Sequence, residues 1–426
     1  MTKLNREEKS WALYDWANSA YSITVTSTVL PLYFKGIANN SGVAATTSTA
    51  YWGYGISIAT LIVAILAPVL GTIADYRGYK KKFFKLFLSL GLIFTALLAV
   101  VPENQWIVLL VINCFTIVGF SGAEVFYDAF LVDVTDDDKM DKVSATGFAL
   151  GYIGSTIPFI ICIGLIVAAQ TGAVPFGVSA ASRIAFVITA IWWGIFSIPM
   201  LKNVEQKYSI EPEEKPIRKS FVRLLETFKN IKEHKIVFMF LLAYFFYIDG
   251  VHTIIGMSTS YGSDLGIKST TLLVILLVGQ FVAFPCALIF GRLSSRFSGK
   301  KVILCSIAIY TGICIYAYFL KTELDFWILA LLVCSCQGGI QAISRSYLGR
   351  LVPKENSSKF FGFYNIFGKF ASVMGPALIG VVSQATGKTN NGVFSLIVLF
   401  IIGGLFLMRV PDTEKESKVL GVKAGI

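Results

Sequence analysis

GTIADYRGYKKK (residues 71–82) and GRLSSRFSGKK (residues 291–301), read together, decide the fold. Each follows a long apolar run, opens on a glycine and closes on lysines. Two further matches recur in the same order. YDAFLVDV from Tyr127 stands against SRSYLGRL from Ser344, and a glycine-rich face precedes Pro158 in one segment and Pro376 in another. All lie at offsets of 217 to 220 residues. A shared order at a shared spacing marks an internal repeat, so the chain reads as two homologous halves.

The runs around these stretches are apolar enough to cross a bilayer. Of 426 residues, 55% are hydrophobic and 15% charged, where soluble domains carry about a quarter. The mean hydropathy is +0.69. Twelve apolar segments fall near residues 11–34, 50–74, 83–101, 105–133, 143–169, 183–201, 235–260, 268–292, 301–320, 325–350, 358–384 and 391–409. Backbone in lipid must satisfy its own hydrogen bonds, and these runs are too long and too uniformly apolar for barrel strands, so each is expected to be a helix. The expected fold is all-α, with twelve transmembrane helices in two pseudo-symmetric six-helix bundles. Residues 1–201 form the first bundle, 202–234 a linker rich in Lys and Glu, 235–409 the second bundle and 410–426 a tail.

Charge placement gives the orientation. With the N-terminus in the cytoplasm, 30 of the 37 Lys and Arg residues fall on that side, and five (Lys35, Arg183, Lys268, Lys321 and Lys388) on the other. Arg345 and Lys369 lie within helices. This asymmetry predicts a multi-pass protein of the cell membrane with both termini cytoplasmic. The same distribution argues against nucleic acid as the partner of the net +11 charge, because the basic residues sit in short loops where anionic lipid headgroups attract them. No cleavable signal peptide is expected, since the first apolar segment contains Asp15. The seven cysteines fall inside apolar runs without metal or redox spacing, and His234 and His252 are too few and too far apart for a zinc cluster. No nucleophile–base spacing, metal motif or Walker loop is present, so neither an enzyme nor a cofactor is expected.

The segments following the apolar runs resemble the major facilitator superfamily. Gly71, Asp75, Gly78, Lys80 and Lys81 are similar to its signature loop, with Tyr79 where an arginine is usual and Ser295 near the acid position of the second copy. WALYDWANSAY (11–21), SGAEVFYDAFLVDV (121–134), YFFYIDGV (244–251), QGGIQAISRSYLGRLVP (337–353) and FFGFYNIFGKFASVMGP (360–376) resemble the autophagy-related vacuole effluxer branch and its bacterial relatives. The resemblance implies a secondary transporter with alternating access. Fungal relatives are associated with amino-acid efflux from the vacuole.

Ionisable groups within helices cost about 2.5–3.5 kcal/mol each on insertion scales, so each needs a reason. Asp15 and Asn18 share a face of the first helix, and Asp249 and His252 share one of the seventh. They read as symmetry mates facing a central cavity, as a coupling or substrate site; Asp15 near the interface also suits a helix cap. Gly250 weakens the helix where backbone would approach a ligand. Glu124 and Asp128, four apart, suit a proton carrier. The repeat sets Glu124 against Gln341, Asp128 against Arg345 and Asp133 against Arg350, acids in one half opposite mostly arginines in the other. Asp128 and Arg345 are expected to meet in the cavity, directly or through substrate; a purely structural ion pair is the other reading. Lys369 either binds an anionic group or snorkels to the headgroups. Asp133 and Arg350, with Gly71, Asp75, Gly78, Lys80 and Lys81, are expected to form a cytoplasmic gate in which Asp133 pairs with the loop's lysines. The expected activity is proton-coupled export of amino acids or similar small metabolites by a monomer in contact with membrane lipids. A lipid or lysolipid carrier, and a receptor or scaffold without flux, are the alternatives.

Overall fold

The computed structural model describes residues 4–211, 219–220, 222–224, 226, 234–264 and 266–412. Within the expected linker, residues 212–218, 221, 225 and 227–233 lie outside the described residues; so do 413–426 of the expected tail. Among the described residues, eleven helices are long and apolar enough to span a membrane. The first expected span is a continuous run over 6–40, made of the α-helix Arg6–Ala20, the π-helix Tyr21–Val29 and the α-helix Leu30–Asn40, here together α1. The others are α2 (Ala45–Ala74), α3 (Tyr79–Leu97), α4 (Trp106–Ala129, continued by Leu131–Val134), α5 (Met140–Gln170) and α6 (Val178–Asn203). After these come α7 (Lys235–Asp264), α8 (Ser269–Phe297), α9 (Gly299–Tyr318), α10 (Glu323–Leu351), α11 (Ser357–Thr386) and α12 (Thr389–Ser395 and Ile397–Arg409).

Local chemistry starts these helices. Asn5 caps α1: its Oδ1 accepts the Glu8 amide at 2.8 Å, and the Glu8 carboxylate accepts the Asn5 amide at 2.7 Å. Thr322 and Asp325 repeat the device at α10. Gly78 enters α3 at φ +79°, a left-handed conformation open to glycine without strain.

The packing repeats with a shift of six helices. In the first half α1 packs on α5 and α6, α3 on α4, and α2 on α4; in the second half α7 packs on α11 and α12, α9 on α10, and α8 on α10. Two symmetry-related seams join the halves, α2 against α11 and α5 against α8. Small residues let these seams close. A Cβ on Gly362 would lie 2.7 Å from the Ala67 carbonyl oxygen, one on Gly71 would collide with the Ser358 carbonyl, and one on Gly291 would lie 2.6 Å from the Ala145 Cβ. Gly250 serves packing too, which corrects the expectation of a ligand there: a Cβ on it would lie 2.6 Å from the Phe400 ring of α12.

Candidate functional site

Between the halves lies a cavity of about 740 Å³. Its upper wall comes from the later half of α1, including exposed Ser22 and Ser27, and from the early turns of α8 and α10. It therefore reaches toward the end of the molecule opposite the basic loops. Its floor is charged. Arg345 of α10 crosses the seam and donates from Nη1 to Asp128 Oδ1 of α4 at 3.1 Å and from Nη2 to Asp15 Oδ2 of α1 at 3.2 Å. It donates further to the Ser144 hydroxyl and carbonyl of α5, at 3.0 and 3.1 Å. The rings of Phe148, Trp11 and Tyr127 surround the guanidinium, with centroids 4.5, 4.7 and 5.3 Å away. Asn365 of α11 donates to the second Asp128 oxygen at 3.3 Å. Thus a cation from one half is held by acids of the other at the bottom of the cavity.

The sequence leads to much of this floor. Asp15, Asn18, Glu124, Asp128, His252, Gln341, Arg345 and Lys369 all line the cavity. Lys369 of α11 faces Glu124 of α4 across the seam at 3.9 Å, so it points into the cavity rather than to the headgroups. Asp249 does not line it. Its carboxylate is fully buried and accepts the Gly375 amide at 3.0 Å and the Thr253 hydroxyl at 3.3 Å. Pro376 follows immediately and interrupts the α11 ladder, so Asp249 ties α7 to a disturbed turn of α11. The expected pairing with Asp15 across the cavity is therefore not seen: Asp15 lines the cavity and Asp249 does not.

The opposite end, where the basic loops lie, is closed by bonds across the seam. Ser358 at the start of α11 donates its amide to Asp75 Oδ1 at 2.9 Å. Lys80 donates to Asp133 Oδ2 at 2.6 Å and to the Ser357 hydroxyl at 2.9 Å, all fully buried. Lys81 is half-buried and Lys82 lies over the Tyr79 ring, so Lys80 alone of the three reaches Asp133. Arg350 does not meet Asp133; it pairs with Asp141 of α5 at 2.9 Å. Asp141 also accepts the Ser294 hydroxyl at 2.6 Å and that of Ser346. Asp75 and Ser358 on one seam therefore match Ser294 and Asp141 on the other, with acid and serine exchanged. Asp141 escaped the sequence reading because it closes the acidic run DDDKMD (136–141), which reads as a solvated loop. Burial pushes the Asp75 carboxyl up to about 7, against the pull of Lys80, Arg223 and Lys359. Its Oδ2 has no hydrogen-bond partner among the described residues.

Two helical bundles sharing a charged central cavity, open toward one end and latched at the other, define a transporter of the major facilitator class. The chain belongs to the family described as "Vacuole effluxer Atg22 like", which matches residues 3–140 and 132–419. It is 59% identical over 412 residues to the MFS-type transporter YxiO of Bacillus subtilis (strain 168), covering 97% of this chain and 96% of that one. It is 23% identical over 483 residues to autophagy-related protein 22 of Vanderwaltozyma polyspora, covering 96% and 91%. Among solved structures it is similar to the transporter FucP in the outward conformation, with a TM-score of 0.69, 15% identity, and coverage of 95% and 98%. The protein is a multi-pass membrane transporter and not an enzyme.

Proposed function

We propose that the chain is a secondary transporter that exports amino acids or similar small metabolites in exchange for protons, by alternating access. The observation that carries this reading is Arg345, held between Asp15 and Asp128 at the cavity floor. A substrate carboxylate competes with those acids for the guanidinium and for Lys369. A substrate ammonium, or a proton, competes with Arg345 for Asp128 and Glu124. Either event weakens the bond between the halves at the floor, so occupancy and rocking become linked. A cavity of this volume suits one small polar solute. The basic end is the cytoplasmic face, by the excess of Lys and Arg there, and the conformation is outward-facing. The working unit is a monomer in the cell membrane, with its apolar outer surface against lipid.

A second reading, an amphiphile such as a lysolipid, draws on the apolar upper wall formed by Leu272, Ile275, Leu276 and Leu329. Uptake and counterflow in proteoliposomes with an imposed pH gradient separate the two. Amino-acid flux that dissipates the gradient, and that Asp128→Ala abolishes, supports the first. Movement of lysolipid alone replaces it with the second. No solute or proton movement overturns both, leaving the receptor or scaffold.

A further inference from the structure

The segment 204–211, which leaves α6, returns to the signature loop and binds it. Gln206 does most of this. Its Oε1 accepts the Gly78 amide at 2.9 Å and the Lys80 amide at 3.3 Å, at the N-terminus of α3. That helix has no capping side chain of its own, because its cap residue is Gly78. The Gln206 Nε2 donates to the carbonyls of Ala74 at 3.0 Å and Asp75 at 3.4 Å, at the end of α2. One amide thus holds the outgoing and incoming helices of the turn that presents Asp75 and Lys80 to α11. The backbone continues the grip. Arg77 donates its amide to the Ile210 carbonyl at 3.0 Å, and Ile210 donates to the Asp75 carbonyl at 2.9 Å. Lys207 and Tyr208 donate their amides to Asp133 Oδ1, both at 2.9 Å, while Lys80 occupies the other oxygen. The far side of the strap meets the second half, where Lys354 lies over the Tyr208 ring at 5.3 Å.

We propose that Gln206 is a positioning residue of the gate: through the 75–80 turn it aims Asp75 and Lys80 at the α11 N-terminus and thereby holds the basic end closed. The inference rests on the alternating-access reading above. Gln206 touches neither Ser357 nor Ser358, so it acts only through the turn. The start of the connection between the halves, residues 204–211, is then part of the latch. Its departure from the turn accompanies opening at the basic end.

Thiol-labelling rates on the purified full chain test this, measured over the background of the chain without a reporter. Val132→Cys, buried beside Gly349 on the seam, reports the basic end. Ser27→Cys, exposed in the cavity wall, reports the opposite end. Gln206→Ala is expected to speed labelling at Val132→Cys and slow it at Ser27→Cys, moving their ratio about five- to thirty-fold, the effect of losing one or two kcal/mol of hydrogen bonding. Gln206→Glu, which keeps the acceptor for the two amides and loses the donor, is expected to move it less. Should Gln206→Ala fail to fold, Tyr208→Pro removes one amide to Asp133 and is expected to move the ratio the same way. An unchanged ratio, or both rates rising together as in a loosened fold, overturns the proposal. The parent chain separates this from the reading beneath it. If its two reporters, each corrected for its thiolate fraction by its labelling rate in the denatured chain at the same pH, respond to acidification in the same direction, alternating access itself fails. If they respond reciprocally and Gln206→Ala changes nothing, only the strap fails.

Discussion

Arg345 concentrates the electrostatics of the molecule in one side chain. It is buried at 3% exposure, yet it donates to two carboxylates, a hydroxyl and a carbonyl. A planar guanidinium can serve these directions at once, and an ammonium cannot. Arg345→Lys is therefore expected to keep the charge and lose transport in proteoliposome uptake. Arg345→Ala strands Asp15 and Asp128 and is expected to cost about 3–5 kcal/mol of stability, read as a lowered unfolding midpoint. Gly147 makes the arrangement possible, because a Cβ there would collide with the Asp15 Oδ2 atom. Gly147→Ala is expected to cut transport sharply by displacing Asp15, with wild-type rates counting against a role for the Asp15–Arg345 contact. The opposite charges of Asp128 and Arg345 are visible in the repeat. Ser144 and Asn365 are not, since a serine or asparagine in a transmembrane run carries no charge pattern to mark it.

At the scale of the element, Asp249 and the two seams are instructive. Spacing places Asp249 with His252 on one face of α7, and His252 does reach the cavity. The carboxylate instead turns to the Gly375 amide of α11, immediately before Pro376. Asp249→Asn is expected to retain transport while lowering stability by about 1–3 kcal/mol in thermal unfolding, the cost of compromising a buried acceptor. Loss of flux with unchanged stability would return Asp249 to the transport site. On the α2–α11 seam, Gly362→Val would force a side chain into the Ala67 carbonyl. It is expected to part the seam and raise labelling of Val132→Cys at the basic end. The glycine-rich faces before Pro158 and Pro376 were legible in the repeat. Which helix each one meets was not, because that depends on how the halves are set against each other.

Across the whole molecule, closure at the basic end carries a pH dependence through Asp75. With the latch closed its carboxyl titrates near 7; exposed to water it returns toward the ordinary carboxylate value near 4. Between those values the closed form holds a proton that the open form has released. Closure is therefore favoured at acid pH and loses this contribution as pH rises through about 7. The labelling ratio of the basic-end and cavity reporters is expected to follow that slope, and Asp75→Asn is expected to flatten it. A slope unchanged in Asp75→Asn would assign the dependence to other groups.

Composition and run length were enough for the helices, because burial in lipid acts on each apolar run separately and leaves its mark residue by residue; the internal repeat marked the two halves, and the resemblance of the quoted motifs pointed to the class of protein. The repeat even aligned acids with arginines. Folding decided which of those charges share a cavity and which only brace a seam. Asp128 and Arg345 meet; Asp133 and Arg350 turn to Lys80 and Asp141. The partner of a buried charge lies on another helix, 53 positions away for Lys80 and Asp133 and 330 for Asp15 and Arg345, and its reach is set by interhelical distances of a few ångströms. No local pattern in a single chain encodes those distances.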